Sequence, residues 1–116
     1  MTPGLTRMRK IEVVVRAEDL DLVETALEGA GLPGWTMIRD VAGKGHDGFH
    51  QGRTLFSDRT GLVMFVGVAP DDAVTRAAEA LATMFRSHAG VLFLSDVEVI
   101  RSSYFQGQSD LEAGAA

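Results

Sequence analysis

The residues best equipped for chemistry in this chain are crowded into one stretch. Gly43-Lys44-Gly45 is followed by His46, Asp47 and His50, and then by Arg53, Asp58 and Arg59. Seven of the 13 glycines fall between Gly31 and Gly61, and two of the three histidines lie there too. Glycine lets the backbone take positive φ and turn successive N–H groups toward an anion, so Gly43 to Gly45 could cradle a phosphate or a small oxyanion. A Gly-x-Gly pair serves a hairpin turn equally well. His46 and His50, four residues apart, would share one side of a helical turn and could hold a transition metal. Gly48 between them works against a rigid helix, and exposed loop histidines are the simpler reading, so no metal ligand is assigned. Asp47 beside His46 would suit general acid–base work. Nothing nearby supplies a nucleophile or a rigid support, so no catalytic residue is assigned and the chain is not expected to be an enzyme.

The elements that must position this stretch are legible from periodicity. From Lys10, Ile11, Val13 and Val15 alternate with Glu12 and Arg16, the period-two pattern of a half-buried strand. Asp21 and Glu24 have the spacing of a capping box, with Glu18 as an earlier possible start, and Leu20, Val23, Leu27 and Ala30 follow at helical spacing. Gly29 and Gly31 offer a left-handed stop. Trp35 to Val41 reads as a second strand, diluted by Arg39 and Asp40. Leu62 to Val68 reads as a third strand, apolar on both faces. A second helix is capped by Asp71 or Asp72, with Val74, Ala77, Ala78, Leu81 and Phe85 forming its apolar stripe. Val91 to Ile100 is the fourth strand, and a tail from Ser102 to Ala116 is expected to be mobile.

The order βαββαβ predicts an α+β, ferredoxin-like fold: a four-stranded antiparallel sheet with both helices on one face. About 20 residues, 42–60, separate strands two and three, where an ordinary hairpin uses about two to five. Such an excursion is usually functional or disordered. The face without helices would be apolar in Leu62 to Val66 and in Val91 to Leu94, and isolated chains avoid exposing such a patch. Association through the sheet face is therefore expected, unless long loops or the tail cover it.

Composition narrows the function classes. The 116 residues leave room for one core, so 1–116 is expected to be a single domain. There are no cysteines, which removes disulfide scaffolds and thiolate zinc sites. Eleven basic against 16 acidic side chains give a formal charge of −5, which argues against general nucleic-acid binding. The longest apolar stretch, Leu62 to Pro70, is far short of the roughly 20 residues that cross a bilayer. Met1 to Arg9 lacks the apolar segment of a signal peptide, so a cytoplasmic protein is expected, without membrane insertion.

Taken together, the βαββαβ order, the opening Met8-Arg9-Lys10-Ile11-Glu12, the V-x-G-x-G pattern at Val41 to Gly45 and the long polar loop resemble the PII signal-transduction superfamily over residues 8 to about 101. In that family the excursion is the T-loop, with Gly43 and Gly45 matching the glycines at its base. The B-loop, a Gly-x-Gly-Lys-Ile-Phe segment entering the fourth strand, is matched at Gly90 and Phe93. The I-R-I-R ending survives as Ile100-Arg101. There are departures: His88 stands for the first B-loop glycine, Val91 for the phosphate-binding lysine, and Ser103 for the second arginine of the ending. The alignment also needs one residue fewer within Asp96 to Arg101 and one more before Gly43. The loop lacks the tyrosine that is uridylylated in some members, since the only tyrosine is Tyr104.

The pattern is most similar to the PII-like proteins of the carboxysome-associated and bicarbonate-linked groups. That resemblance implies a homotrimer binding adenine nucleotides in three inter-subunit clefts, with bicarbonate as a possible second ligand and a protein target or transporter reading the T-loop, in inorganic-carbon or nitrogen metabolism. It places Gly43, Lys44 and Gly45 beside the phosphates, Arg101 as a forked cation on them, Arg86 and His88 at the approach of the B-loop, Gly90 at its end and Arg59 near a small anion. The lost lysine implies that ADP or AMP is favoured over ATP. The competing readings are a metal-binding trimer of the related CutA type, using His46, Asp47 and His50, and a small ferredoxin-like enzyme.

Overall fold

The computed structural model describes residues 4–45, 48–50 and 61–100, with the backbone alone for 45 and 48–50. The elements run β1 (Thr6–Arg16), a 3-10 turn (Ala17–Asp19), α1 (Leu20–Gly29), β2 (Thr36–Val41), β3 (Gly43–Gly45), β4 (Gly48–His50), β5 (Leu62–Ala69), α2 (Asp71–Met84) and β6 (Gly90–Val99). Four strands form an antiparallel sheet in the order β2-β5-β1-β6, and β3 and β4 make a separate two-stranded ribbon inside the excursion. The fold is the expected α+β, ferredoxin-like one. The expected tail, 102–116, lies outside the described residues.

β1 is paired on both sides, so its alternation organises both faces. Ile11, Val13 and Val15 point to the helix side and are buried with Val63, Phe65 and Ala69 of β5, Val23 and Leu27 of α1, and Val74, Ala77 and Leu81 of α2. Each large apolar side chain buried this way stabilises the fold by about 1.5–3 kcal/mol. On the other face, the register aligns Ile38 with Met64, Met64 with Val14, and Val14 with Val91. That apolar row crosses all four strands, and Val66 and Phe93 flank it. Ile38 is 46% exposed, Val91 44% and Phe93 55%, so among the described residues no element covers this face. Met8 shares its parity yet is buried, and it stands apart from the core between sheet and helices.

Three boundary expectations are corrected. β1 begins at Thr6 rather than Lys10, because Thr6 to Arg9 pair with Val99 to Asp96 of β6. Asp21 and Glu24 do not form a capping box. The chain turns earlier, where the Ala17 N–H donates to Gly61 O at 2.8 Å, and Asp19 holds the N-cap position without a side-chain cap bond. Nor does Asp71 or Asp72 cap α2. Pro70, extended at φ −57° and ψ 154°, takes that position, and its carbonyl accepts from the Ala73 and Val74 N–H groups. The two aspartates occupy the first turn, where the helix dipole favours them.

The end of α1 follows the expected left-handed stop. The Leu32 N–H donates to Leu27 O at 3.2 Å and the Gly31 N–H to Glu28 O at 3.0 Å, the paired bonds of a Schellman motif, with Gly31 at φ 89°. Arg76 of α2 donates from Nε and Nη2 to the Ala30 carbonyl at 3.2 and 3.0 Å, tying the two helices together at that end. Gly29, two residues earlier, is the last helical residue, and a Cβ there would meet nothing within 4 Å. Alanine at these two positions should therefore act with opposite signs in urea denaturation. Gly29→Ala is expected to stabilise by about 0.5–1 kcal/mol and Gly31→Ala to destabilise by about 1–2 kcal/mol.

Candidate functional site

The excursion leaves the sheet through a bulge. Ile38 pairs with Met64 but Val41 with Leu62, so β2 carries one more residue than β5 over this step. Asp40 absorbs it at φ 58°, in the left-handed region that aspartate tolerates better than most side chains. A bulge bends and twists its strand, which redirects the chain into the β3/β4 ribbon. Arg39 and Asp40, which diluted the strand signal in the sequence, are the bulge itself. The extra residue before Gly43 that the family alignment requires falls in this same segment.

Gly43, Lys44 and Gly45 are β3, and they pair with His50, Phe49 and Gly48 of β4. They form an extended ladder rather than the positive-φ turn considered as an anion cradle. Gly31 is the glycine with positive φ among the described residues. Lys44 is exposed. His46, Asp47, Arg53 and Arg59 lie outside the described residues, as does Arg101.

The second group lies between α2 and β6. The last turn of α2 tightens as the Phe85 N–H donates to Leu81 O and the Arg86 N–H to Thr83 O. The Ser87 and His88 N–H groups then both donate to Met84 O, at 3.2 and 3.1 Å. Arg86 is exposed. The His88 ring turns inward: Nδ1 lies 3.2 Å from Met84 O and 3.0 Å from Ser87 Oγ, and Nε2 faces Asp19 Oδ1 at 4.0 Å. Asp19, 8% exposed, is the buried charged residue among the described ones. Gly90 opens β6 opposite Val15, and a Cβ there would come within 2.5 Å of the Phe85 ring and 3.0 Å of Val15 Cγ1. Packing thus demands glycine at 90. Val91, the position of the missing lysine, projects to the open face beside Val14.

Sheet register brings the two groups to one end of the molecule. Val41 is level with Leu62, Leu62 with Arg16, and Val15 with Gly90. The β3/β4 ribbon and the 85–90 loop therefore leave the same end from opposite edges, three strand spacings or about 14 Å apart. Sequence reasoning did not single out Asp19 or the Phe85–Gly90 contact. An aspartate before a helix carries no mark of burial, and the contact joins a helix end to a strand start whose approach only packing decides. At the opposite end, Arg7, Met8, Arg9, Asp71 and Asp96 line a cleft of about 210 Å³. There Arg9 spans Asp71 at 3.7 Å and Asp96 at 3.5 Å, and this cluster ties β1 to α2 and β6.

Residues 8–104 match the sequence model of the family described as nitrogen regulatory protein P-II. A nitrogen regulatory protein P-II of Mesorhizobium japonicum is 35% identical over 100 residues, covering 80% of this chain and 88% of the relative. One of Cereibacter sphaeroides is 34% identical over 98 residues, covering 78% and 87%. Among solved structures, CPII of Thiomonas intermedia, a nitrogen regulatory PII-like protein bound to ADP, AMP and bicarbonate, superposes with a TM-score of 0.84 at 27% identity, covering 90% of this chain and 99% of that one. Gly90→Ala should lower the urea midpoint, at a cost of about 1–3 kcal/mol, since the Phe85 ring must swing away. Shortening the ring with Phe85→Leu should recover part of that loss in the double variant.

Proposed function

Because the chain belongs to the nitrogen regulatory protein P-II family, we propose that it is a PII-like regulatory protein that binds adenine nucleotides, assembles as a homotrimer and signals through the conformation of the 42–60 loop. The observation that carries the ligand class is the likeness, at a TM-score of 0.84, to CPII in its complex with ADP, AMP and bicarbonate. The 85–90 loop and the base of the long loop leaving one end of the sheet agree with it. Gly43, Lys44, Gly45, Arg86 and Gly90 from the described residues, with Arg59 and Arg101, are the proposed ligand-facing set. The inward turn of the His88 ring gives that residue a supporting role in this reading. Bicarbonate is the proposed second ligand, and inorganic-carbon or nitrogen metabolism the proposed setting.

Charge argues for the nucleotide preference. Where a lysine would meet the terminal phosphate, Val91 lies on the open sheet face. The loss of one cation favours ligands with fewer phosphate charges, so ADP and AMP are proposed to bind more tightly than ATP. The open face supports the trimer, since three copies can bury the Ile38, Met64, Val14 and Val91 rows against one another.

Thermal shift with ADP, AMP and ATP, each with and without bicarbonate, tests the ligand reading. A nucleotide at 100 times its dissociation constant should stabilise the fold by about 2.7 kcal/mol. The order expected from calorimetry is ADP or AMP tighter than ATP. No shift with any of the three removes the nucleotide role, and a clear preference for ATP removes the charge argument. Light scattering should give the mass of a trimer for the native chain and a smaller species for Val14→Glu, which puts a carboxylate in the middle of the apolar row.

A further inference from the structure

The 3-10 turn at Ala17–Asp19 touches both loops that leave this end of the sheet. Its first residue donates its N–H to Gly61 O at 2.8 Å, where the long excursion returns to β5. Its last residue, the buried Asp19, faces His88 Nε2 at 4.0 Å in the loop before β6. We infer that Asp19 and His88 form a protonation-sensitive clamp that sets the conformation of the 85–90 loop and links it, through the turn, to the returning end of the excursion.

The chemistry follows from the partners of the imidazole. Met84 O lies 3.2 Å from Nδ1 and can only accept, so the contact assigns the neutral ring's proton to Nδ1. Ser87 Oγ, at 3.0 Å from the same nitrogen, can rotate its hydroxyl to accept as well. Nε2 then carries the proton that comes and goes, and it is aimed at a carboxylate. With the ring neutral, a lone pair faces Asp19. With the ring protonated, an N–H of a cation faces it, and the repulsive contact becomes an ion pair.

The surroundings leave this pair as the element that responds. Glu18 shares the turn with Asp19 but is exposed, and Arg86, two residues before His88, is exposed as well. Arg16 closes β1 just before the turn and has an interaction of its own. Among the described residues, Asp19 is the acid within ion-pair distance of His88. Protonation therefore draws the 85–90 loop onto the turn, and an ordered loop binds its ligand with less entropy to lose. His88 is a positioning residue here, acting through the loop rather than on the ligand.

The nucleotide arm of this inference rests on the proposed binding role, so the test has two readouts. In the nucleotide-free protein, the backbone amide of Ala17 is followed by NMR with the His88 imidazole between about pH 5.5 and 8, the range in which an imidazole changes charge. Its shift should track the His88 titration in the native chain and stay flat in His88→Gln and Asp19→Asn. ADP affinity is then measured at pH 6 and pH 8 in all three proteins, so that titration of the nucleotide itself is common to them. Relative to either variant, the native chain should gain about fivefold in affinity on going to pH 6. If Ala17 tracks His88 but ADP binds at neither pH, the clamp stands and the nucleotide role falls. If the Ala17 amide ignores His88, or if the variants keep the native pH profile of ADP binding, the clamp is overturned.

Discussion

Val14 stands in the middle of an apolar row, Ile38, Met64, Val14 and Val91, that no described element covers. Two helices can cover one face of a four-stranded sheet, and this chain makes both faces apolar. The consequence reaches every other feature. The core between sheet and helices holds the fold of one chain together, and the second face requires a partner surface before its apolar area is removed from water. Lys10 and Glu12, paired at 3.6 Å on that same face, keep part of it polar. The apolar row and this internal ion pair together suit a surface that meets copies of itself.

The same sheet also dictates where ligand-facing residues can lie. Because β1 pairs with β5 on one side and β6 on the other, the ends of β2 and β6 are level, and the loops attached to them emerge together. The bulge at Asp40 then turns the excursion out of the sheet plane, and the Phe85 ring packed over Gly90 fixes the angle at which the second loop enters β6. Neither device contacts a ligand in the proposed role. Both decide where the residues that do so can reach, and the 3-10 turn joins the two loops through hydrogen-bond and ion-pair contacts at one corner.

Much of this was legible in advance, for physical reasons that differ by element. β1 and β5 have strict alternation on one face, and α1 and α2 have apolar residues at helical spacing, so their periods alone announce them. Gly31 was readable as a stop because the position past a helix end requires a left-handed residue, and its φ of 89° bears that out. The helix starts were not. Asp21, Glu24, Asp71 and Asp72 are good caps by type, but the cap positions went to Asp19 and Pro70 because the preceding chain was turned by contacts distant in sequence, such as Ala17 with Gly61. The glycine pair at 43 and 45 carried a turn signal, and strand pairing with Gly48–His50 overrode it.

By itself the amino-acid order determined the βαββαβ sequence of elements, the excess of apolar surface and the family pattern running from Met8 into the fourth strand. Those are properties of local period and composition, which need no knowledge of what lies opposite. Tertiary structure alone decided that Asp19 is buried against His88, that Gly90 is held by an aromatic ring, that Val91 belongs to the open face and that one extra residue in β2 becomes a bulge. Each of these depends on register and on the approach of segments tens of residues apart, and no local preference of the chain encodes such a distance.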